Sequence, residues 1–305
     1  MSGHALVIGE ALIDAVHRAD GSVQRHPGGS PANVAIGLAR LGRDAELLTW
    51  LGKDDDGALV VDHLEGSGVA LCEGSQDAPA TSVATATLDA SGAAAYDFAL
   101  EWALSADAVT RPEPLVVHTG SIAAVLQPGA DAVLTLMASS RETSTVTYDP
   151  NSRPSLMGEP ATARAAVERA VRLADVVKVS DEDIEWLAPG EGVDRVAQAW
   201  LALGPAIVVV TRGGEGATAW TPEGRVDVRA PKVTVADTVG AGDSFMGGLI
   251  DGLWGAGVLG APQRQALRSL DLDTVSAVLE RCARIAAITV SRAGANPPTL
   301  AELDA

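Results

Sequence analysis

The amino-acid sequence predicts an α/β fold organised around a mostly parallel sheet. Three observations carry the prediction. Short apolar, β-branched runs recur along the 305 residues. Helix-spaced segments lie between most of them, and one region alone sets two strand-like runs side by side without a helix. The strand-like runs are LVIGEALIDAV (6–16), ELLTWLG (46–52), LVVHTG (115–120), TVTYDPN (145–151), DVVKVS (175–180) and AIVVVTRGG (206–214). Helical spacing of apolar residues marks 31–42 after a Gly-Gly-Ser-Pro start, the alanine-rich 160–173, 191–203, 239–254 and 273–290. The exception, TSVATATLDASGAAAYDFAL (81–100), reads as two strands around an Asp-Ala-Ser-Gly turn, a hairpin standing off the main sheet. In such folds ligands bind beyond the carboxyl ends of the strands, near a topological switch point, so polar residues at those ends are the first functional candidates.

Composition narrows the function. With 40 acidic and 22 basic residues the net charge is -18. That field repels nucleic acid and anionic membrane surfaces. A site for a nucleotide must then be built locally, from backbone amides, helix N-termini, a few cations and a divalent metal. Cys72 and Cys282 belong to no metal or disulfide pattern and read as core thiols. His4, His17, His26, His63 and His118 show no ligand-like spacing. The N-terminus runs into strand-like sequence without a basic leader or a cleavage site, and the apolar stretch 245–262 is interrupted by Asp251 and glycines. A cytoplasmic protein without a membrane span is expected.

The segment DTVGAGDSFMGG (237–248) carries the strongest chemistry. Gly240, Ala241 and Gly242 lead into a helix with Asp243 in its first turn. Small residues let a phosphate approach the backbone, free amides and the helix dipole stabilise its charge, and the carboxylate beside them accepts a proton from an attacking hydroxyl. A plain glycine-rich cap explains the acid but not the Gly-Ala-Gly spacing together with Gly247 and Gly248. A second segment, GGSPANVAIGLARLG (28–42), sets Gly28 and Gly29 ahead of Pro31 and brings Asn33 into the first helical turn, where its amide can donate to and accept from sugar hydroxyls. A turn feeding an amphipathic helix accounts for the same residues. No GxxxxGK[ST] loop occurs, and no early GxGxxG, which disfavours P-loop NTPases and Rossmann oxidoreductases.

These two segments, about two hundred residues apart, resemble the ribokinase-like (PfkB) carbohydrate kinases. The resemblance spans nearly the whole chain. Within the family, GEALID (9–14), YDFALEW (96–102), YDPNSRPSL (148–156), KVSDEDIEWL (178–187) and VTRGGEGA (210–217) are most similar to the bacterial fructokinases. The resemblance implies a doubly wound three-layer sandwich, a single domain over 1–305 with a discontinuous β lid from about 10–26 and 81–104. It implies ATP-dependent phosphorylation of a primary hydroxyl, the 6-hydroxyl of D-fructose, with Asp243 as base and Gly240, Ala241 and Gly242 as the anion hole. Asp14, Gly28, Gly29, Asn33, Phe98 and Arg153 are the implied sugar contacts, with Tyr96 as a further lid residue. Asp14 would end the first strand. Arg153 reads either as a clamp for phosphate or sugar oxygens or as a turn arginine in a surface ion pair. Lys178, Ser180, Thr211, Gly213, Gly216 and Asn296 fall on the nucleotide side. The family's Asn-x-x-Glu motif for magnesium is matched by Ser180-Asp181-Glu182-Asp183, which departs at both ends. Asp183 can still act through water, or the acids simply cap a helix. Asp237 and Gly294 match a potassium site. Lid pairing implies a homodimer. Kinases for 2-keto-3-deoxygluconate, ribose, aminoimidazole riboside or another nucleoside share this centre, and a sensor that lost turnover remains the non-enzyme alternative.

Overall fold

Consecutive residues of a strand face opposite ways, so a strand covered on both sides must be apolar at every position. The run Ile207–Thr211 obeys this: Ile207 and Val209 enter one core, Val208 and Val210 the other. The computed structural model describes residues 3–17, 21–88, 94–105, 108 and 110–305. In chain order its strands are β1 (Ala5–Ile8), β2 (Leu12–His17), β3 (Val23–Gly28), β4 (Ala45–Leu48), β5 (Ala70–Leu71), β6 (Val83–Leu88), β7 (Ala94–Ala99), β8 (Val116–Gly120), β9 (Thr145–Asp149), β10 (Val176–Ser180), β11 (Ile207–Thr211), β12 (Ala217–Thr221) and β13 (Gly224–Val228). Those described form a nine-stranded sheet in the order β13-β12-β11-β10-β9-β8-β1-β4-β5 and a four-stranded sheet in the order β3-β2-β6-β7.

From β5 across to β11 the large sheet is parallel, and β12 and β13 close it antiparallel. Helices Ser30–Arg40, Ala241–Gly255 and Leu272–Val290 cover one face, and Gly129–Ser140, Pro160–Val171 and Val193–Ala202 the other. This is the doubly wound sandwich that the alternation of strands and helices predicts. The chain runs from β1 to β4 and β5 on one side, then returns to β8 on the other side of β1. The strand order therefore reverses at β1, and the carboxyl ends of β1 and β8 border the opening where a ligand fits.

The run 6–16, expected as one strand, is two. Gly9 N still donates to Leu48 O at 3.0 Å, but Ala11 N donates to the Thr49 hydroxyl at 3.0 Å, and β2 leaves to pair with β3 and β6 in the small sheet. Asp14 accordingly sits in the middle of β2 rather than at the end of the first strand. A change of sheet within an unbroken apolar run leaves no mark in periodicity, because both strands alternate with the same period. The hairpin expected at 81–100 is present as β6 and β7, paired antiparallel. Its predicted Asp-Ala-Ser-Gly turn and the Tyr96 side chain lie outside the described residues.

The helix Ala241–Gly255 carries the catalytic candidate and is fixed by close packing. A Cβ on Gly248 would lie 2.9 Å from Ile285 Cδ1 and 3.3 Å from Cys282 Cα, so the glycine lets Leu272–Val290 approach. Gly247 faces the helix Ser30–Arg40, where a Cβ would meet Val34 O at an ordinary contact distance of 3.6 Å. Of the glycine pair that seemed to strengthen the phosphate motif, Gly248 thus serves helix packing. Asp251 adds polar clamps, accepting from Arg43 Nε at 2.7 Å and from Arg281 Nε at 2.9 Å. Cys72 and Cys282 are buried and unlinked, as expected. Among the described residues no helix is long and apolar enough to cross a membrane.

The packing yields a direct expectation. Gly248→Val overfills the contact with Ile285 and should lower unfolding stability by about 1–3 kcal/mol, measured by urea denaturation. Wild-type stability in that variant would contradict the close contact.

Candidate active site

Asp243 lies in the first turn of the helix Ala241–Gly255, after Gly240 in the left-handed conformation (φ 74°). A Cβ at Gly240 would lie 2.6 Å from the Ala295 side chain, so only glycine allows this turn against the 292–297 loop. The Asp243 carboxylate is held from two other parts of the chain. Ser30 Oγ donates to Oδ1 at 2.7 Å and Asn33 Nδ2 to Oδ2 at 2.8 Å, while Asn151 Nδ2 approaches Oδ1 at 3.4 Å. Although buried, Asp243 lines a cleft of about 920 Å³.

That cleft lies between the carboxyl ends of β1 and β8 and the small sheet. Glu10 and Ser121 border it from the large sheet, Asp14, Asp97 and Phe98 from the small one. Gly29, Asn33 and Arg153 also line it, so most of the expected sugar contacts converge. Gly28 does not line it but makes room for Asp14, whose Oδ2 lies 2.2 Å from where a Gly28 Cβ would be. Asn33 differs from expectation in its partner: its amide nitrogen goes to the Asp243 carboxylate. Among the described residues Arg153 has no ion-pair partner. Its Nη1 donates to Asn151 O at 2.9 Å and to Asn151 Oδ1 at 2.7 Å, and its charge acts on Glu10 and Asp14.

A second cleft, of about 600 Å³, opens on the other side of the same helix start. Thr211, Gly213 and Gly216 line one wall, as expected for the loop after β11, and Ala283, Ala287 and Val290 the other. The two clefts share Thr238, Ala241 and Gly242. Two ligands placed in them meet end to end at the helix N-terminus, beside Asp243.

Lys178 reaches this seam from beneath. Its Nζ lies 2.9 Å from where a Cβ on Gly242 would be, and donates to Asp149 Oδ2 at 2.9 Å. Both partners are buried. Burial works against the ammonium, but Asp149, with Asp183 and Asp243 beyond it, holds the Lys178 pKa above its ordinary value. Burial pushes Asp149 up to about 6, and Lys178 opposes the rise. The acidic protein thus keeps a positive charge under its anion hole.

Other expected residues are placed elsewhere. Ser180 and Asp183 form a reciprocal cap on the helix Asp181–Leu187, and Asp183 Oδ1 also accepts from Ser152 N at 2.9 Å. Among the described residues no three His, Cys, Asp or Glu side chains are grouped to hold a metal. Asp237 and Gly294 do come together, with Gly294 N donating to Asp237 Oδ2 at 2.9 Å. The amides of Val239 and Gly294 hold the Asp237 carboxyl below the usual carboxylate range. Asn296 lines neither cleft, and its Oδ1 accepts from Arg40 Nη1 at 2.5 Å. Its place beside the nucleotide is therefore not supported: sequence adjacency to the Gly294 loop does not fix which way a side chain turns.

A model of the pfkB family of carbohydrate kinases matches residues 3–301. The chain belongs to that family. Fructokinase of Klebsiella pneumoniae is 32% identical over 94% of this chain and 94% of its own length. Among solved structures, fructokinase of Xylella fastidiosa with bound ATP aligns with a TM-score of 0.84 at 25% identity, covering 98% of this chain and 96% of that one. Fructokinase of Vibrio cholerae O395 in its fructose-, ADP- and calcium-bound form gives 0.80 at 27% identity, covering 99% and 96%. As a pfkB carbohydrate kinase the protein is a phosphotransferase with an alcohol acceptor.

Several residues of the kinase site escaped the sequence reading. Ser30 lay inside the quoted GGSPAN segment, yet nothing local says that a helix-start serine meets an acid 213 residues away. Asn151 adopts a positive φ of 36°, which asparagine tolerates, and its signal was the DPN turn. Asp149 could have been found as an acid ending a parallel strand. Its partnership with Lys178 gives a test: Asp149→Asn leaves a buried cation unpaired and should cost about 3–5 kcal/mol in chemical denaturation. Adding Lys178→Met should recover much of the loss. Additive losses in the double variant would rule out the pairing.

Proposed function

We propose that this pfkB kinase is an ATP-dependent fructokinase that moves the γ-phosphoryl group of ATP to the 6-hydroxyl of D-fructose. The observation that carries the reading is the seam: two clefts meet at one helix N-terminus, and the carboxylate beside it is held by Ser30 and Asn33. Fructose occupies the cleft under the small sheet, ATP the apolar cleft after β11. Asp243 takes the proton of the attacking hydroxyl. The oxygen of that hydroxyl bonds to phosphorus as the bond to the ADP oxygen breaks, and ADP leaves with the electron pair. The amides of Gly242 and Asp243, the helix dipole and the Lys178 ammonium stabilise the charge that builds on the transferring group, whereas the Ala241 amide, expected in the anion hole, already donates to Thr238 O at 3.2 Å.

The sugar cleft favours a neutral polyol. Glu10, Asp14, Asp97 and Asp243 border it, and Arg153 is the one cation among its described lining residues. An acid such as 2-keto-3-deoxygluconate would enter against four carboxylates with one guanidinium to meet it. Asp14, Asn33, Gly29 and Arg153 orient the sugar, and Phe98 on the small sheet supplies an apolar wall. The small sheet acts as the lid that keeps water from the γ-phosphate. Among the described residues β3 and β7 are the outer strands of the small sheet, which supports a homodimer formed through its edges. Sedimentation velocity at micromolar concentration tests that state, a monomer alone counting against it.

Magnesium fits as an ion carried on the nucleotide phosphates, neutralising their charge. Both Asp183 oxygens already accept one backbone amide each, and Asp183 would hold the ion through water. At the potassium position the chain offers the ionised Asp237 carboxylate, which the amides of Val239 and Gly294 orient.

One coupled ADP-release assay tests the reading. Fructose should give the highest kcat/KM in a panel with ribose, 2-keto-3-deoxygluconate and nucleosides. Asp243→Asn should lower kcat on the order of a hundredfold or more with a much smaller change in KM. Near-normal turnover in that variant removes Asp243 from the role of base.

A further inference from the structure

The sugar cleft contains an acid that the chemistry above leaves unused. Glu10 follows β1 at the point where the strand order reverses, is 7% exposed and lines the cleft. Its Oε2 has no hydrogen-bond partner among the described residues. A buried carboxylate oxygen without a donor costs about 1–3 kcal/mol or more, so such atoms are rare in folded proteins. Here the atom belongs to a residue bordering a cavity wide enough for a sugar, where a donor arrives with the ligand.

The groups facing Glu10 come from three other elements. Ser121, after β8, and Arg153, after β9, favour its ionised form; Asp243, on the helix Ala241–Gly255, repels it. None supplies Oε2 with a hydrogen. We propose that Glu10 is a sugar-positioning residue of this kinase, its free carboxylate oxygen accepting a hydrogen bond from a substrate hydroxyl other than the one that attacks phosphorus. The inference rests on the proposed function in taking a polyol as the ligand. It adds a contact from the floor of the large sheet to those from the small sheet and the Ser30–Arg40 helix, so the ring is fixed against rotation.

A pH response follows. Burial pushes Glu10 up to about 7, against the opposing effects of Ser121, its own backbone and Arg153, and Asp243 adds to the rise. A hydroxyl that donates to Oε2 favours the ionised form and lowers that pKa in the complex. Sugar binding then releases a proton near pH 6 and is tighter at pH 8, where Glu10 is already ionised. A downward shift of about one pH unit makes the affinity difference roughly fivefold. Asp14 on β2 and Asp97 on β7 border the same cleft, so the Glu10 contribution is read as the difference between wild type and variants.

The experiment is calorimetric titration of fructose into the full-length protein at pH 6 and pH 8, with steady-state kinetics alongside. Wild type should bind about fivefold more tightly at pH 8, and Glu10→Gln should bind with little pH dependence. Glu10→Ala should raise the sugar KM on the order of tenfold, leaving the KM for ATP unchanged and kcat within a few-fold. ATP-analogue affinity and thermal unfolding of each variant separate lost contacts from lost fold. A Glu10→Gln protein that keeps the wild-type pH response, or a Glu10→Ala protein with unchanged sugar KM, overturns the proposal. If wild type binds another sugar and not fructose, the fructokinase reading fails, and the same comparison with that sugar still decides the role of Glu10.

Discussion

For the proposed phosphoryl transfer, the start of the helix Ala241–Gly255 must present bare amides to a phosphate and hold a carboxylate beside them without letting the two neutralise each other's use. The chain meets both demands by joining two helix starts. Ser30 and Asn33, in the first turn of one helix, donate to Asp243 in the first turn of the other. The carboxylate is thus oriented by side chains, and the Gly242 and Asp243 amides of its own helix stay available to a ligand, while the Ala241 amide donates to Thr238 O. Close packing through Gly248 holds this helix against Leu272–Val290, so the distances at the seam depend on a contact little more than one turn away.

Electrostatics follow the same plan. A chain of net charge -18 offers little to a nucleotide at long range, and its attraction for phosphate is concentrated in buried groups. Lys178 is the example: it is buried, paired with Asp149 and pressed against Gly242, so its charge acts through a low-dielectric medium on whatever occupies the anion hole. On the sugar side the carboxylates outnumber the cations, which suits an uncharged ligand rich in hydroxyl donors.

Much of the site was legible because it is local. The Gly-Ala-Gly-Asp run and the Gly-Gly-Ser-Pro-Ala-Asn run each contain their own turn, helix start and functional side chain within a few residues. Arg153 and Thr211 were legible for a related reason, as polar residues closing parallel strands. What stayed hidden were the partnerships. Nothing in the neighbourhood of Asn33 shows that Asp243 lies within reach of its amide nitrogen. Ser180 and Asp183 looked like a metal motif and a helix cap at once, and in the fold both side chains are engaged in the cap. Glu10 gave no signal at all, since an acid after a strand is ordinary until its burial is known.

The sequence by itself determined the class of fold, the position of the glycine-rich helix start and the carboxylate in its first turn, because these depend on backbone conformation and residue chemistry over short spans. Tertiary structure alone decided that the first apolar run divides between two sheets, that the two motifs meet, and that a lysine and a glutamate lie buried beside them. The physical reason is range: periodicity and turn chemistry act over about ten residues, whereas burial and pairing are set by which distant segments the packed sheet and helices bring into contact.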